Sequence, residues 1–291
     1  MQCRSALTRV DARRTGELPD HERNLLEEHL RVCRSCEESA EDVDSLAGAV
    51  RALSVSPPRS CRDALCDRFD LVEVDGHDVW VAFTDNGLSM IHSGGSEDAF
   101  RGRYGERFDR ELTRASLPDK LRRQVHGALS GEGAGKAAVD LRALTEFERT
   151  VLEVLTRIPR GEVRSYSWVA QQAGRPSAVR AVGNICARNV VPFVVPCHRV
   201  VPTTGGIGNY AFGSPMKREL LSREGAPVEE IERLAREGVR FTGSKTTKIF
   251  CNPTCKDARR TRDENRIYFH DAGEAFDRGF RPCLRCQPAA A

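Results

Sequence analysis

The stretches "KTTKIFCNPTCKDARR" (245–260) and "GFRPCLRCQP" (279–288) space four cysteines as C-x3-C, a gap of 27 residues, and C-x2-C. Two close pairs at that distance bring four thiols together only if the chain folds back on itself, and tetrahedral zinc is the usual reason. Zinc would deprotonate Cys251, Cys255, Cys283 and Cys286 and leave a site of formal charge −2. Basic side chains crowd the same segment, among them Lys245, Lys248, Arg259, Arg260, Arg262 and Arg281, and such a surface suits a phosphate backbone.

A second cluster lies at the other end. "EEHLRVCRSC" gives His29, Cys33 and Cys36; on a helix the i, i+4 pair shares a face and Cys36 follows within reach, with Cys3 the fourth ligand. Downstream, Val43, Leu46, Val50 and Leu53 fall on one helical stripe, which predicts packing against the zinc-bearing helices or a partner.

The whole chain has 291 residues, long enough for two or three units, and a net charge of only +3, so any nucleic-acid contact must be local. Eleven cysteines in a chain with no apolar signal segment predict metal ligands and nucleophiles in a reduced, cytoplasmic setting. No run of about 18 apolar residues predicts a membrane span. "SVSPPRS" (54–60) reads as a linker, and "EGAPVEE" (224–230) as a second break. The expectation is an α+β multidomain protein: a zinc helical module over 1–54, a β-meander with helices over 62–140, a helix-turn-helix subdomain over 141–227, and a small zinc domain over 240–288.

In the middle, "FDLVEV", "DVWVAFT" and "LSMIH" alternate in the strand period and are punctuated by DG and DNG turns, predicting an antiparallel meander. "EFERTVLEVLTRI" places Phe147, Val151, Leu155 and Ile158 on one helical face. "SYSWVAQQAGRPSAVRAVGNICA" predicts two helices about a Gly-Arg-Pro turn, the second capped by Ser177 and packed through Val179, Val182 and Cys186. Its outer face carries Arg180, Ala181 and Gly183, small enough to approach a groove. The apolar run "VVPFVVPCHRVVP" (190–202) then encloses Cys197, His198 and Arg199; read as a strand, it turns Cys197 and His198 to opposite faces.

Three resemblances organise these signals. "IPRGEVRSYSWVA", "GRPSAVRAVG", "RNVVPFVVPCHRVVPTTGGIGNY" and "KRELLSREG" together resemble the O6-alkylguanine-DNA alkyltransferases, in order and at the expected spacings. That resemblance implies Cys197 as the alkyl acceptor, His198 as the base reaching it through water, and Glu224 as the carboxylate orienting His198. It implies Asn189 as the tie between helix-turn-helix and active-site loop, Arg180 as the side chain entering the duplex, and Tyr166 and Tyr210 as walls of the base pocket. Val190 stands where the family usually has proline. Phe212 stands where glycine is usual, which predicts a narrower pocket.

Residues 240–288, with "TTKIFC", Glu264-Asn265 and "GFRPCLRC", resemble the zinc-binding methyl-phosphotriester domains of Ada type. The resemblance implies methyl transfer from a DNA backbone phosphotriester to zinc-bound Cys251. Residues 1–54, with "RTGELPDHE" before H-x3-C-x2-C, resemble the zinc-containing anti-sigma domains, implying a zinc-stabilised interaction module whose protein partner is sigma-factor-like or another regulator. Together these imply two zinc sites, no organic cofactor, and duplex DNA carrying O6-alkylguanine or a methylphosphotriester as substrate. Single-use repair by a monomer is the expectation, with a methylation-sensing regulator as the alternative.

Overall fold

A computed structural model describes residues 1–52, 66–142 and 144–288; the linker at 54–60, Leu53 and Cys61 lie outside the described residues. The chain divides into two compact units, Met1–Arg62 and Asp63–Ala291. Among the described residues, no helix is long and apolar enough to cross a membrane.

The described residues of the first unit form three helices, α1 (Cys3–Thr15), α2 (Asp20–Val32) and α3 (Arg34–Ala52). Gly16 ends α1 in the left-handed region (φ 79°), where a residue lacking Cβ is at least cost. The core is small: Ala6, Val10, Leu18, Leu26, Leu30, Cys36 and Ala40. One expectation needs correction: Cys33 is not on the helix with His29 but breaks between α2 and α3, in extended conformation. Of the stripe on α3, Leu46 is 66% exposed and Val43 is exposed as well, so these two do not pack against the other helices.

The second unit begins with the anticipated meander, β1 (Cys66–Val74), β2 (His77–Thr84) and β3 (Gly87–Ser93), paired antiparallel. Asp75 and Gly76 both have positive φ, the turn that matches strand twist in a two-residue hairpin. After α4 (Glu97–Phe108), β4 (Glu111–Arg114) joins β1 in parallel, giving the order β3-β2-β1-β4. The strand period sorts two cores. Phe69, Trp80 and Ala82 face α4 through Phe100 and Tyr104, whereas Val72, Val79, Val81 and Phe83 face the helical half.

That helical half comprises α5 (Asp119–Leu129), α6 (Glu146–Thr156), a two-residue strand β5 (Arg164–Ser165), α7 (Tyr166–Gln172) and α8 (Val179–Ala187). Thr145 and Glu148 form a reciprocal capping box at the start of α6. Val151 and Leu155 are fully buried and Ile158 follows them into the core. Leu155→Ala should therefore destabilise the chain by about 2–5 kcal/mol in denaturant titration; a loss below about 1 kcal/mol would contradict this packing. α8 is not capped by Ser177: its first flanking residue is Ala178, with no side-chain cap bond. Val182 and Cys186 are buried, and Val179 is partly so.

Beyond the apolar loop come β6 (Val200–Val201), paired with β5, then α9 (Ser214–Arg223) and α10 (Val228–Arg236). Residues 224–227 form a tight turn, after which Val228 and Ile231 pack with Val163, Val201 and Leu221. The last part is a sheet in the order β10-β8-β7-β9, from β7 (Phe241–Ser244), β8 (Ile249–Cys251), β9 (Arg266–Phe269) and β10 (Arg281–Pro282), with α11 (Lys256–Arg259) and α12 (Ala272–Asp277). Gly243 sits where a Cβ would lie 2.6 Å from the Phe269 ring and 2.9 Å from Phe280, so only glycine lets those rings close over β7.

Candidate active site and metal centres

The apolar loop is not a strand. Val194 N donates to Pro192 O (2.8 Å) around Phe193, whose φ is +70°, and Cys197 N donates to Val195 O (2.8 Å) around Pro196. These are two successive γ-turns, the first of the strained hand. Cys197–Arg199 then form one 3-10 turn. Prolines at 192 and 196 remove amides that a strand would need, which is why the run bends. Asn189 holds the bend: its Oδ1 accepts from Val191 N (3.1 Å), and its Nδ2 donates to Val195 O (2.9 Å) and to Cys197 Sγ (3.1 Å). Val190 is buried and its carbonyl accepts from Ile91 N of β3 (2.7 Å), anchoring the loop to the sheet.

His198 is fully buried, and its Nε2 lies 3.0 Å from Glu224 Oε1. A carboxylate only accepts, so Nε2 carries the proton and Nδ1 presents a lone pair; that buried Nδ1 has no protein partner. Glu224 also receives Arg199 on both oxygens (2.8 and 2.7 Å), and Arg199 reaches Ile158 O (2.6 Å). Burial opposes its ionisation, yet the His198 and Arg199 hydrogen bonds hold Glu224 at about 2. Burial also pushes the His198 pKa down, against the pull of Glu224. It pushes the Cys197 thiol up, against Asn189, the facing Tyr210 hydroxyl and the charge of Lys217. The resting site is therefore a neutral thiol beside a neutral imidazole.

Lys217 is the residue that motif reading passed over. Its Nζ donates to Val200 O (2.6 Å) and Asn209 O (3.3 Å), pinning the strand after the cysteine to the following loop. Burial lowers it to about 8. The spacing from Lys217 to Leu220 and Leu221 on α9 puts it on the buried face, and that signal was available.

Tyr166, Gly183, Cys197 and Tyr210 line one cavity of about 230 Å³, and Cys186 shares its wall. Burial, with Cys186 and Cys197 nearby, raises Tyr166 to about 12, so its hydroxyl stays a donor. Phe212 lines an adjoining cavity of about 640 Å³ with Asn189 and Cys197, and packs on Phe193 (5.3 Å) and Tyr210 (5.6 Å). Arg180 and Ala181 stand outside both cavities, Arg180 exposed on α8.

The two cysteine clusters converge as metal sites. The ligand atoms of Cys3, His29, Cys33 and Cys36 lie within 4.8 Å of one another, as do those of Cys251, Cys255, Cys283 and Cys286. His29 Nε2 is 3.4 Å from Cys36 Sγ, and Cys3 Sγ is 3.8 Å from Cys33 Sγ. The second set is buried throughout, and hydrogen bonds shared among the thiols push Cys251 up and Cys255 down to about 2. Such a cluster cannot ionise together without a cation, and four soft sulfurs in a tetrad suit zinc. Both donor sets fit it. Of the basic residues expected around the second site, Lys245 and Arg281 are exposed and Arg262 faces Glu264 at 3.7 Å. Lys245 Nζ donates to Glu264 O (3.0 Å), and Arg259 is committed to Gly225 O (3.1 Å), bridging back to the turn that holds Glu224.

Comparison with known proteins divides the second unit along the same lines. Residues 146–226 match the family described as 6-O-methylguanine DNA methyltransferase, DNA binding domain, and residues 232–289 match the metal binding domain of Ada. The chain is 33% identical over 152 residues to the regulatory protein ada of Salmonella typhimurium, covering 51% of this chain and 43% of that one. It is 41% identical over 98 residues to a methylated-DNA--protein-cysteine methyltransferase of Lodderomyces elongisporus, covering 33% and 49%. The chain thus spans about half the length of the curated relatives it matches. A crystal structure of Mycobacterium tuberculosis OGT in complex with DNA is 27% identical, covers 58% of this chain and 98% of that one, and superposes with a TM-score of 0.45. Two adjoining stretches of this chain thus match, in order, the DNA binding domain of the 6-O-methylguanine DNA methyltransferase family and the metal binding domain of Ada.

Proposed function

We propose that the protein removes alkyl groups from O6 of guanine in duplex DNA by irreversible transfer to Cys197. The observation that carries this is the linked set Asn189–Cys197 and His198–Glu224–Arg199, whose Cys197 lines a cavity walled by Tyr166 and Tyr210. A methyl on O6 is out of reach inside stacked DNA, so the nucleotide must rotate out, at a cost of a few kcal/mol. In this reading Arg180, exposed on α8, enters the duplex, while Ala181 and Gly183 let the helix approach closely.

The thiol proton passes through a bridging water to Nδ1 of His198, and Glu224 stabilises the imidazolium that forms. The thiolate attacks the methyl carbon in line; the S–C bond forms as the C–O6 bond breaks, and guanine leaves with its electron pair, hydrogen-bonded by Tyr166. Asn189, by donating to Sγ, favours the thiolate over the thiol. The product is a thioether, which water does not hydrolyse, so each molecule acts once. A single-turnover assay should show one equivalent of methyl transferred per protein; catalytic turnover would overturn the reading.

Cys251 is the second proposed acceptor, for a methylphosphotriester. Bound zinc keeps its ligands as thiolates; methylating Cys251 removes one negative charge beside Lys245 and Arg281 and so should tighten the grip on phosphate. With zinc loaded, DNA carrying a methylphosphotriester should add 14 Da to the peptide containing Cys251, and Cys251→Ser should abolish the addition; an unmodified peptide would leave the domain a docking element only. The exposed Val43 and Leu46 of the first unit favour a protein partner there, sigma-factor-like or another regulator; the chain is read as a cytoplasmic monomer.

A further inference from the structure

The methyltransferase domain and the metal domain meet through hydrogen bonds that fall on the backbone of the tetracysteine site itself. Thr254, inside the Cys251–Cys255 loop, accepts from Val163 N (2.9 Å) and returns its hydroxyl to Val163 O (3.3 Å). Lys256 N, directly after Cys255, donates to Glu162 Oε1 (3.1 Å). Trp168 Nε1 donates to the carbonyl of Cys286 (3.0 Å), which Asn252 also reaches from the metal side (3.3 Å). Glu162, Arg164 and Thr254 are all buried, and Glu162 is held by Arg164 at 2.5 Å. Around these bonds the junction is incompletely packed: a cavity of about 380 Å³ opens between Val163, Val201, Ile231, Leu234 and Phe241. With apolar contact interrupted there, the polar bonds carry much of the coupling.

The same segment leads into the alkyl-acceptor site. Glu162 and Val163 precede β5, which pairs with β6 as Arg164↔Val200 and Ser165↔Val201, immediately after the Cys197–Arg199 turn. β5 runs on into α7, whose first residue is Tyr166. We propose that Glu162, Trp168 and Thr254 are positioning residues for the tetracysteine site, so that metal occupancy there and the geometry of the Cys197 pocket are mutually coupled. Linkage makes the effect reciprocal: whatever loosens the junction weakens metal retention, and losing the metal loosens β5. The inference stands on the metal site alone and does not require Cys197 to accept alkyl groups.

The test is chelator-driven zinc release from the full-length, zinc-loaded protein, followed by absorbance. The phase belonging to the tetracysteine site is identified as the one that Cys255→Ser removes. Trp168→Phe removes one bond, Glu162→Gln takes the charge from the acceptor of Lys256 N, and Thr254→Val removes both bonds to Val163; each should speed that phase about 2- to 10-fold and leave the other phase unchanged. Thr254→Ser, which keeps the hydroxyl, should restore the wild-type rate and so separate the bond from general unfolding. In the converse experiment, selective loss of this zinc should raise deuterium exchange at 162–168. Release rates unchanged in all three variants, or equal acceleration by Thr254→Val and Thr254→Ser, would overturn the proposal.

Discussion

Cys197→Ala should abolish removal of O6-methyl from guanine while leaving DNA binding within about threefold of the wild type. Cys186 shares the cavity wall but does not take over: burial pushes its pKa up, and among the described residues no asparagine donor or His–Glu pair serves it. The comparison is nucleoside analysis of recovered DNA against a binding titration at the same salt concentration, since phosphate contacts dominate affinity. Loss of O6-methylguanine at the wild-type rate in the variant would remove Cys197 from its role.

The second large effect belongs to Glu224. Glu224→Ala takes away the acceptor for both His198 and Arg199 and strands a nearly buried guanidinium, which should cost about 3–5 kcal/mol in denaturant unfolding. The transfer rate should fall as well, toward the loss of about 10²–10⁴ that marks removal of a general base, because His198 is no longer held with its proton on Nε2. The pH dependence has a definite sign. The folded pKa of Glu224 lies at about 2, below the ordinary carboxyl value, so its contribution is fully present above that ordinary value and is lost as pH falls toward 2. The stability gap between wild type and Glu224→Gln should therefore be constant from pH 5 to 7 and close progressively below about pH 4.3. A gap that does not change down to pH 2 would show that the pair contributes nothing as an ion pair.

Much of this architecture was legible because its signals are local. The meander from 69 to 92 announces itself by alternation and DG turns, and both metal tetrads by cysteine spacing. Misreadings arose where long-range packing or backbone chemistry decides. The loop around Cys197 is rich in valine and reads as a strand, but Pro192 and Pro196 withdraw two amides and the chain turns twice within five residues. Ser177 has the chemistry of a cap, yet the chain enters α8 one residue later. Lys217 and Arg199 lie inside the family-like stretches "KRELLSREG" and "PCHRVVP", yet no role attached to them there. Their importance comes from the carbonyls and the carboxylate that tertiary folding brings to them, which a single sequence does not display.

Peptide mapping of the intact, zinc-loaded protein after one exposure to duplex DNA carrying O6-methylguanine tests the central claim most directly. A gain of 14 Da confined to the peptide containing Cys197, at one equivalent per chain, is the predicted result. A methyl group on Cys186 or on another residue, or an unmodified Cys197 peptide after the DNA has been repaired, would contradict it.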